Sequence, residues 1–157
     1  MSDFPKVGRL IGVDFGTVRI GLAISDLNQT LASPFEIYRP SGAERDAKYF
    51  RKLVELERVA GFVVGLPVHL DGRDSQISIA AEEFAKWLKE TTGIPVVLFD
   101  ERFTSSFADE VIREAGLTRA KRKQVLDKLA AQILLTSYLE SDRSTTKPVD
   151  RKGLESN

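Results

Sequence analysis

The chain has 157 residues, long enough for one domain with a substantial apolar core and too short for a second large one. Hydrophobic residues at 42% and charged residues at 29% describe a soluble globular protein, and the longest nearly apolar run, Gly61 to Val68, is too short to span a bilayer, so no membrane role is expected. The absence of cysteine excludes disulfide scaffolds, thiol catalysis and cysteine-bound zinc or iron–sulfur centres; the opening MSDFPKVGRL lacks the apolar stretch of a secretory signal, and a cytoplasmic location is expected. The 23 basic and 23 acidic residues cancel, so a nucleic-acid partner has to be held by a local basic patch.

Arg9 to Asp14 (RLIGVD) is a short run rich in Leu, Ile and Val, broken at Phe15-Gly16-Thr17 and followed by Arg19 to Ser25 (RIGLAIS) in the same style, which predicts a hairpin. A third apolar stretch, Leu31 to Tyr38, ends at Pro40. Ser41-Gly42-Ala43-Glu44 then has the spacing of a capping box, and Ala47, Phe50, Leu53 and Val54 give the following helix an apolar face until Gly61 stops it. Phe62-Val63-Val64 reads as a strand buried on both faces, and Gly65-Leu66-Pro67 ends it. Ile77, Ala81, Phe84 and Leu88 mark the inward side of a second helix closed by Gly93, and Pro95 to Phe99 is a further buried strand.

Ser106 with Asp109 fits a second capping box for a helix that ends at Gly116. A basic linker, Arg119 to Lys123, leads to a last helix whose Val125, Leu129, Ile133 and Leu134 face inward. From Ser141 onward only Val149 and Leu154 are aliphatic, so residues 141–157 are expected to form a disordered tail beyond a domain of residues 1–140. Hairpin-linked strands are antiparallel and strands separated by helices are parallel crossovers. The fold class is therefore α/β: a mixed five-stranded sheet, three antiparallel strands then two parallel, with helices on both faces.

Three acids stand at the ends of regular elements: Asp14 after the first strand, Glu101 (beside Asp100) after the last, and Asp127 in the first turn of the last helix. Open α/β sheets place ligands at such an edge. Ala130 and Ala131, three and four residues beyond Asp127, would let that helix approach the sheet closely. Carboxylates crowded at low dielectric repel one another unless a cation neutralises them, and a hard divalent metal such as Mg²⁺ is the simplest remedy. Taken singly, each acid also has an ordinary explanation: Asp14 as a turn former, Asp127 as a partner of the helix dipole, and Asp100-Glu101-Arg102 as a surface ion-paired turn. Gly16 would let backbone N–H groups approach an anion, with the Thr17 hydroxyl alongside. His69, the only histidine, is more simply an exposed loop residue than a proton shuttle. Arg119, Lys121, Arg122, Lys123 and Lys128 form the densest positive cluster, either a solvated run or a grip for a polyanion beside the acids.

Four segments resemble the YqgF/RuvX family: Gly12-Val13-Asp14-Phe15-Gly16 with Arg19-Ile20-Gly21; Gly65-Leu66-Pro67 with Asp71-Gly72; Asp100-Glu101-Arg102-Phe103-Thr104; and Asp127 with Ala130-Ala131. Their order and spacing agree over roughly Arg9 to Glu140. The resemblance implies a ribonuclease H-like fold, catalytic and metal-binding acids at Asp14, Glu101 and Asp127, and a nuclease that matures the 5′ end of pre-16S ribosomal RNA, Holliday-junction resolution being the older proposal. Thr104-Ser105 stands where the family shows Thr-Thr, which keeps a hydroxyl, and His69 stands where Asn is common.

The expected chemistry is metal-assisted phosphodiester hydrolysis with Mg²⁺ or Mn²⁺, in which Asp14 bridges two ions about 3.5–4 Å apart. Nucleic-acid contacts are expected from Thr17, Arg19, Arg102, Thr104 and the cluster Arg119, Lys121, Arg122 and Lys123. The expected partners are RNA (pre-rRNA) or branched DNA, and by extension ribosomal precursor particles, bound by a monomer or weak homodimer. Two rivals come from other classes. The Asp14-Phe15-Gly16-Thr17 turn also resembles the phosphate loop of actin-like and sugar kinases, although those enzymes close two such domains over a nucleotide. A catalytically idle nucleic-acid-binding or ribosome-assembly module is the other.

Overall fold

The computed structural model describes residues 4–67, 76–100, 118–141 and 146–149, with backbone alone at 119, 122–128, 146 and 147. Strands β1 (Arg9–Asp14), β2 (Ile20–Ser25), β3 (Ala32–Tyr38), β4 (Val59–Leu66), β5 (Val96–Asp100) and β6 (Thr146–Pro148) build one sheet in the order β3-β2-β1-β4-β5-β6. The pairs β1–β2 and β2–β3 are antiparallel, and β1–β4 and β4–β5 are parallel, as the turn and crossover lengths require. The described helices are α1 (Ala43–Glu57), α2 (Gln76–Thr92) and α3 (Arg119–Glu140). The segment 101–117, with the helix expected after Ser106, lies outside the described residues, as do residues 68–75.

Strand alternation creates two cores, because successive side chains leave opposite faces of a sheet. Ile11, Val13, Phe62, Val64, Val96 and Leu98 pack on one face with Phe50 and Leu53 of α1 and Ala85 and Leu88 of α2. Leu10, Val63, Val97 and Phe99 face the other way, against Ala131, Leu134, Leu135 and Tyr138 of α3. A fully buried Leu, Val or Phe contributes about 1.5–3 kcal/mol. Phe50 is also an aromatic hub, with edge-on neighbours at Phe62 (6.4 Å), Phe84 (5.7 Å) and Trp87 (6.1 Å).

Several boundaries differ from the sequence expectation. The Ser41–Glu44 capping box does not form, because Gly42 at φ 124° is the N-cap of α1 and no side chain caps it. Ser41 therefore lies one residue too early. Its N–H instead donates to Asp46 Oδ1 (2.9 Å), which also accepts from the Tyr38 hydroxyl (2.6 Å). The helix stops at Glu57 with Arg58 left-handed at φ 52°, not at Gly61. Gly61 lies within β4, where the Phe4 ring occupies the space a side chain would need, 2.7 Å from an ideal Cβ. Gly93 does close α2, at φ +73° with its N–H on Lys89 O (2.8 Å). The β2–β3 turn is organised by Asp26, which accepts from the Leu31 N–H (3.0 Å) and the Thr30 hydroxyl (2.6 Å) and N–H (2.7 Å), holding its carboxyl down at about 2.

The expectation of a disordered tail from Ser141 meets an exception. Residues Thr146–Pro148 add β6 antiparallel to β5, and Val149 is buried at 5% exposure in the α1/α2 core. The Val149 N–H donates to Val96 O (3.0 Å), and Lys89 Nζ donates to Val149 O (2.7 Å). One aliphatic residue with two satisfied backbone groups offsets the ordering cost that composition alone assigned to this stretch. Val149→Ala should lower unfolding stability by about 1.5 kcal/mol, at ~0.8 kcal/mol per buried methylene. Urea denaturation measures it, and an unchanged midpoint would show the tail to be energetically detached.

Candidate functional site

Asp14 ends β1 at the same sheet edge at which Leu66 ends β4 and Asp100 ends β5, since Leu66 pairs with Asp100 and Val13 with Val64. It continues the series Leu10, Gly12, Asp14, so it lies on the face covered by α3. Asp14 is opposite Gly21, and Gly21 is opposite Ile37, which makes a lateral row across β1, β2 and β3. An ideal Cβ on Gly21 would lie 3.6 Å from Asp14 Cβ and 3.7 Å from Ala131 Cβ. The helix thus comes down on the sheet beside the carboxylate.

The direction of α3 follows from the same contacts. Gly12 lies under Leu135 and Ala131, with an ideal Cβ 2.8 Å from Leu135 Cβ and 3.1 Å from Ala131 O, whereas Gly21 lies under Ala131 among the described residues. Passing from Gly12 toward the end of β1 therefore runs toward the N-terminus of α3. Position 127 lies one turn before Ala131 on the same side of the helix, so its backbone is carried to the Asp14 end of the sheet. Asp14 and the backbone at position 127 therefore lie toward the same end of the sheet. Glu101, Arg102, Thr104 and His69 lie outside the described residues, and Asp127, Arg119, Arg122 and Lys123 are described by their backbone alone.

Two expectations about α3 are corrected. Arg119 to Lys123 is not a linker: α3 begins at Arg119, and the Thr118 hydroxyl caps it by accepting from the Lys121 N–H (3.3 Å). Asp127 consequently lies eight residues beyond the first residue of the helix, not in its first turn. Dipole stabilisation fades within the first turn, so it does not account for an acid at 127.

Between β1 and β2, the loop 15–19 lines a cavity of about 320 Å³ together with Asp14, Gly21, Ile37 and Ile77. Phe15 anchors the loop by stacking on Phe84 of α2 at 4.8 Å. Gly16 is required by the turn itself, because an ideal Cβ there would lie 2.5 Å from Arg19 O. Thr17 and Arg19, expected to contact nucleic acid, are exposed and line this cavity, and Lys121 is exposed on α3. Ile77, expected to mark the apolar side of the helix, is exposed at the cavity instead, because the buried face of α2 runs through Ser78, Ala81, Ala85 and Leu88. Ile37 and Val18 went unnoticed in sequence; neither carries a polar group or a motif to single it out.

Glycine placement yields a paired test. Gly12→Ala forces α3 off the sheet and should cost about 1–3 kcal/mol by overpacking. Gly21→Ala meets only ordinary contacts and should leave stability within about 1 kcal/mol. Equal losses for the two, by thermal or urea unfolding, would contradict the close helix–sheet contact at Gly12.

Comparison with known proteins matches these features. The family pattern described as RuvX, Holliday junction resolvase, covers residues 8–141. A protein of Rhodopirellula baltica named "Putative pre-16S rRNA nuclease" is 54% identical over 140 residues, 89% of this chain and 81% of its own length. One of the same name from Lachnospira eligens is 42% identical over 136 residues, 85% of this chain and 97% of its own. Among solved structures, Thermus thermophilus RuvC in complex with a Holliday junction substrate superposes with a TM-score of 0.59 at 17% identity, covering 90% of this chain and 99% of that one, which shows the ribonuclease H-like fold. The family pattern spans the residues that build β1, the glycine-bearing turn and α3 over the sheet, and the chain belongs to the RuvX family.

Proposed function

We propose that this protein is a metal-dependent endonuclease that processes the 5′ end of pre-16S rRNA, with Asp14, Glu101 and Asp127 as its catalytic acids. The observation that carries the reading is the position of Asp14: half-buried at the sheet edge, on the α3 face, lining the cavity. The relatives named as pre-16S rRNA nucleases support the substrate. The description of the family as Holliday junction resolvases favours branched DNA as a second reading, and side-by-side cleavage of pre-16S RNA and a four-way junction separates the two.

The choice of Glu101 over Asp100 follows the family resemblance of the segment Asp100-Glu101-Arg102. Val97 and Phe99 of β5 face α3, while Val96 and Leu98 face α1 and α2. Asp100, the last residue of β5, falls in the series of Val96 and Leu98, on the face opposite to the α3-facing series to which Asp14 belongs. With Glu101 outside the described residues and Asp127 described by backbone alone, no cluster of three metal-ligating side chains is complete among the described residues. The donor chemistry still fits a hard divalent cation: the chain has no cysteine, and Asp14 offers oxygen ligands where two further acids are expected.

Mg²⁺ or Mn²⁺, when bound, would supply a water of lowered pKa and Lewis-acid stabilisation of the leaving oxygen. The chain's own residues do the rest. Asp14, Glu101 and Asp127 hold the cation, and Thr17 and Arg19 at the cavity, with Arg102 and Thr104 beyond β5, contact phosphate oxygens. Arg119, Lys121, Arg122 and Lys123 all fall within the first five residues of α3, with no acid in its first turn. Cations at a helix N-terminus oppose the dipole and cost helix stability, but their charge and the dipole together attract a polyanion.

Asp14→Asn should abolish divalent-dependent cleavage while leaving the melting temperature without metal at or above that of the wild type, since one repelling charge is gone. Its gain in melting temperature on adding Mn²⁺ should be smaller than the wild type's. Normal cleavage by the purified variant would remove Asp14 from the chemistry. Changing Arg119, Lys121, Arg122 and Lys123 together to Glu should weaken RNA binding and flatten its salt dependence by about 0.7 in slope per lost phosphate contact. An unchanged slope in a salt titration would make the basic turn a solvated surface only.

A further inference from the structure

The cavity beside Asp14 has an apolar wall that phosphodiester chemistry does not require. Val18 of the loop is 69% exposed, Ile37 of β3 is 42% exposed and Ile77 of α2 is 39% exposed. They come from three separate elements and line one cavity. In each element a polar residue would cost nothing in packing, since none of the three is buried in either core. Phe15, stacked on Phe84, also lines the cavity, so the apolar wall is aliphatic apart from that ring.

The row Asp14, Gly21, Ile37 gives the cavity a direction. Two strand spacings of ~4.8 Å separate the carboxylate from the isoleucine by about 10 Å. Between them Gly21 lines the cavity without a side chain of its own, with Ala131 Cβ 3.7 Å from where its Cβ would stand. A phosphate near Asp14 would thus have its sugar over Gly21 and its base against Ile37, with Ile77 and Val18 closing the sides. The volume, about 320 Å³, is at the small end of ligand cavities, which run ~300–1,000 Å³, and suits one nucleotide rather than a stacked duplex. A base can reach such a wall only when it is unpaired and out of the stack, because in a duplex its faces are covered by its neighbours.

We propose that Val18, Ile37 and Ile77 form a slot for one unpaired nucleobase next to the scissile phosphate, so that the enzyme selects strands with an unstacked nucleotide over continuous duplex. The inference rests on the nuclease reading of Asp14 and adds the residues that set substrate structure. The slot recognises the base face, so ribose and deoxyribose strands share its chemistry, and the test carries both.

The first arm is methyl NMR of the wild type in Mg²⁺ with trinucleotides linked by non-hydrolysable phosphonates. The Ile37 and Ile77 δ1-methyls should show ring-current shifts with RNA or DNA trinucleotides, and should not with the same molecule lacking its central base. Ile79, exposed on α2 but outside the cavity, is the internal control and should not move. Whichever of the RNA and DNA trinucleotides shifts the methyls at lower concentration identifies the strand type preferred. The second arm compares cleavage of single-stranded and duplex substrates by the variant Ile37→Ser with Ile77→Ser. Its single-strand preference should fall by about tenfold, the scale of one base contact, with its Mg²⁺-induced melting shift equal to the wild type's. Equal methyl shifts with and without the base, or an unchanged preference in the variant, would overturn the slot while metal-dependent cleavage kept the nuclease reading. Base-dependent methyl shifts in a protein that cleaves nothing would do the reverse.

Discussion

The close seating of α3 on the sheet is the constraint on which the rest depends. It is possible because β1 has no side chain at Gly12, so Leu135 Cβ and Ala131 O rest almost on backbone, while at Gly21 Ala131 makes ordinary contact with β2. That contact covers one core, fixes the direction of the helix and determines which of its turns stands over the end of β1. A methyl group at Gly12 would lie 2.8 Å from a Cβ fixed to the helix backbone, which cannot swing aside. Packing and chemistry therefore share one interface. The short side chains that bring the helix down also bring the position of Asp127 to the edge at which Asp14 ends.

Strand parity does the second part of the work. A sheet covered on both sides must be apolar on both, and each strand divides its residues between the α1/α2 core and the α3 core. At the ends of β1 and β5 the hydrophobic series run out and acids begin, at Asp14 and Asp100. The face on which an acid emerges follows from the residues before it. Asp14 thus belongs with α3 and Asp100 with the opposite side.

The basic start of α3 and the apolar wall of the cavity show two kinds of departure from what stability alone would select. Four cations at a helix N-terminus oppose the dipole, and only the Thr118 cap compensates locally. Exposed Val18, Ile37 and Ile77 around a carboxylate are likewise unfavourable in water. Departures of this sort concentrate at sites where function sets the residue. In the proposed reading the first meets a polyanionic strand and the second the flat apolar face of a base.

The sequence by itself determined the strands from Arg9 through Phe99, the hairpin and crossover connections and hence the mixed sheet, and the acid after the first strand. These follow from local periodicity and turn chemistry, which act within a few residues. The capping motif at Ser41 misled because the left-handed freedom of Gly42 moved the N-cap by one residue, and Gly61 misled because a glycine that admits a ring from elsewhere looks like one that ends a helix. Only the tertiary structure decided where α3 begins, that Val149 and β6 complete the β5 edge, and that Ile77 lines a cavity. Periodicity reports which side of an element is apolar; it cannot report what lies opposite. At the ends and edges of elements, where this site is built, the opposite partner comes from distant parts of the chain.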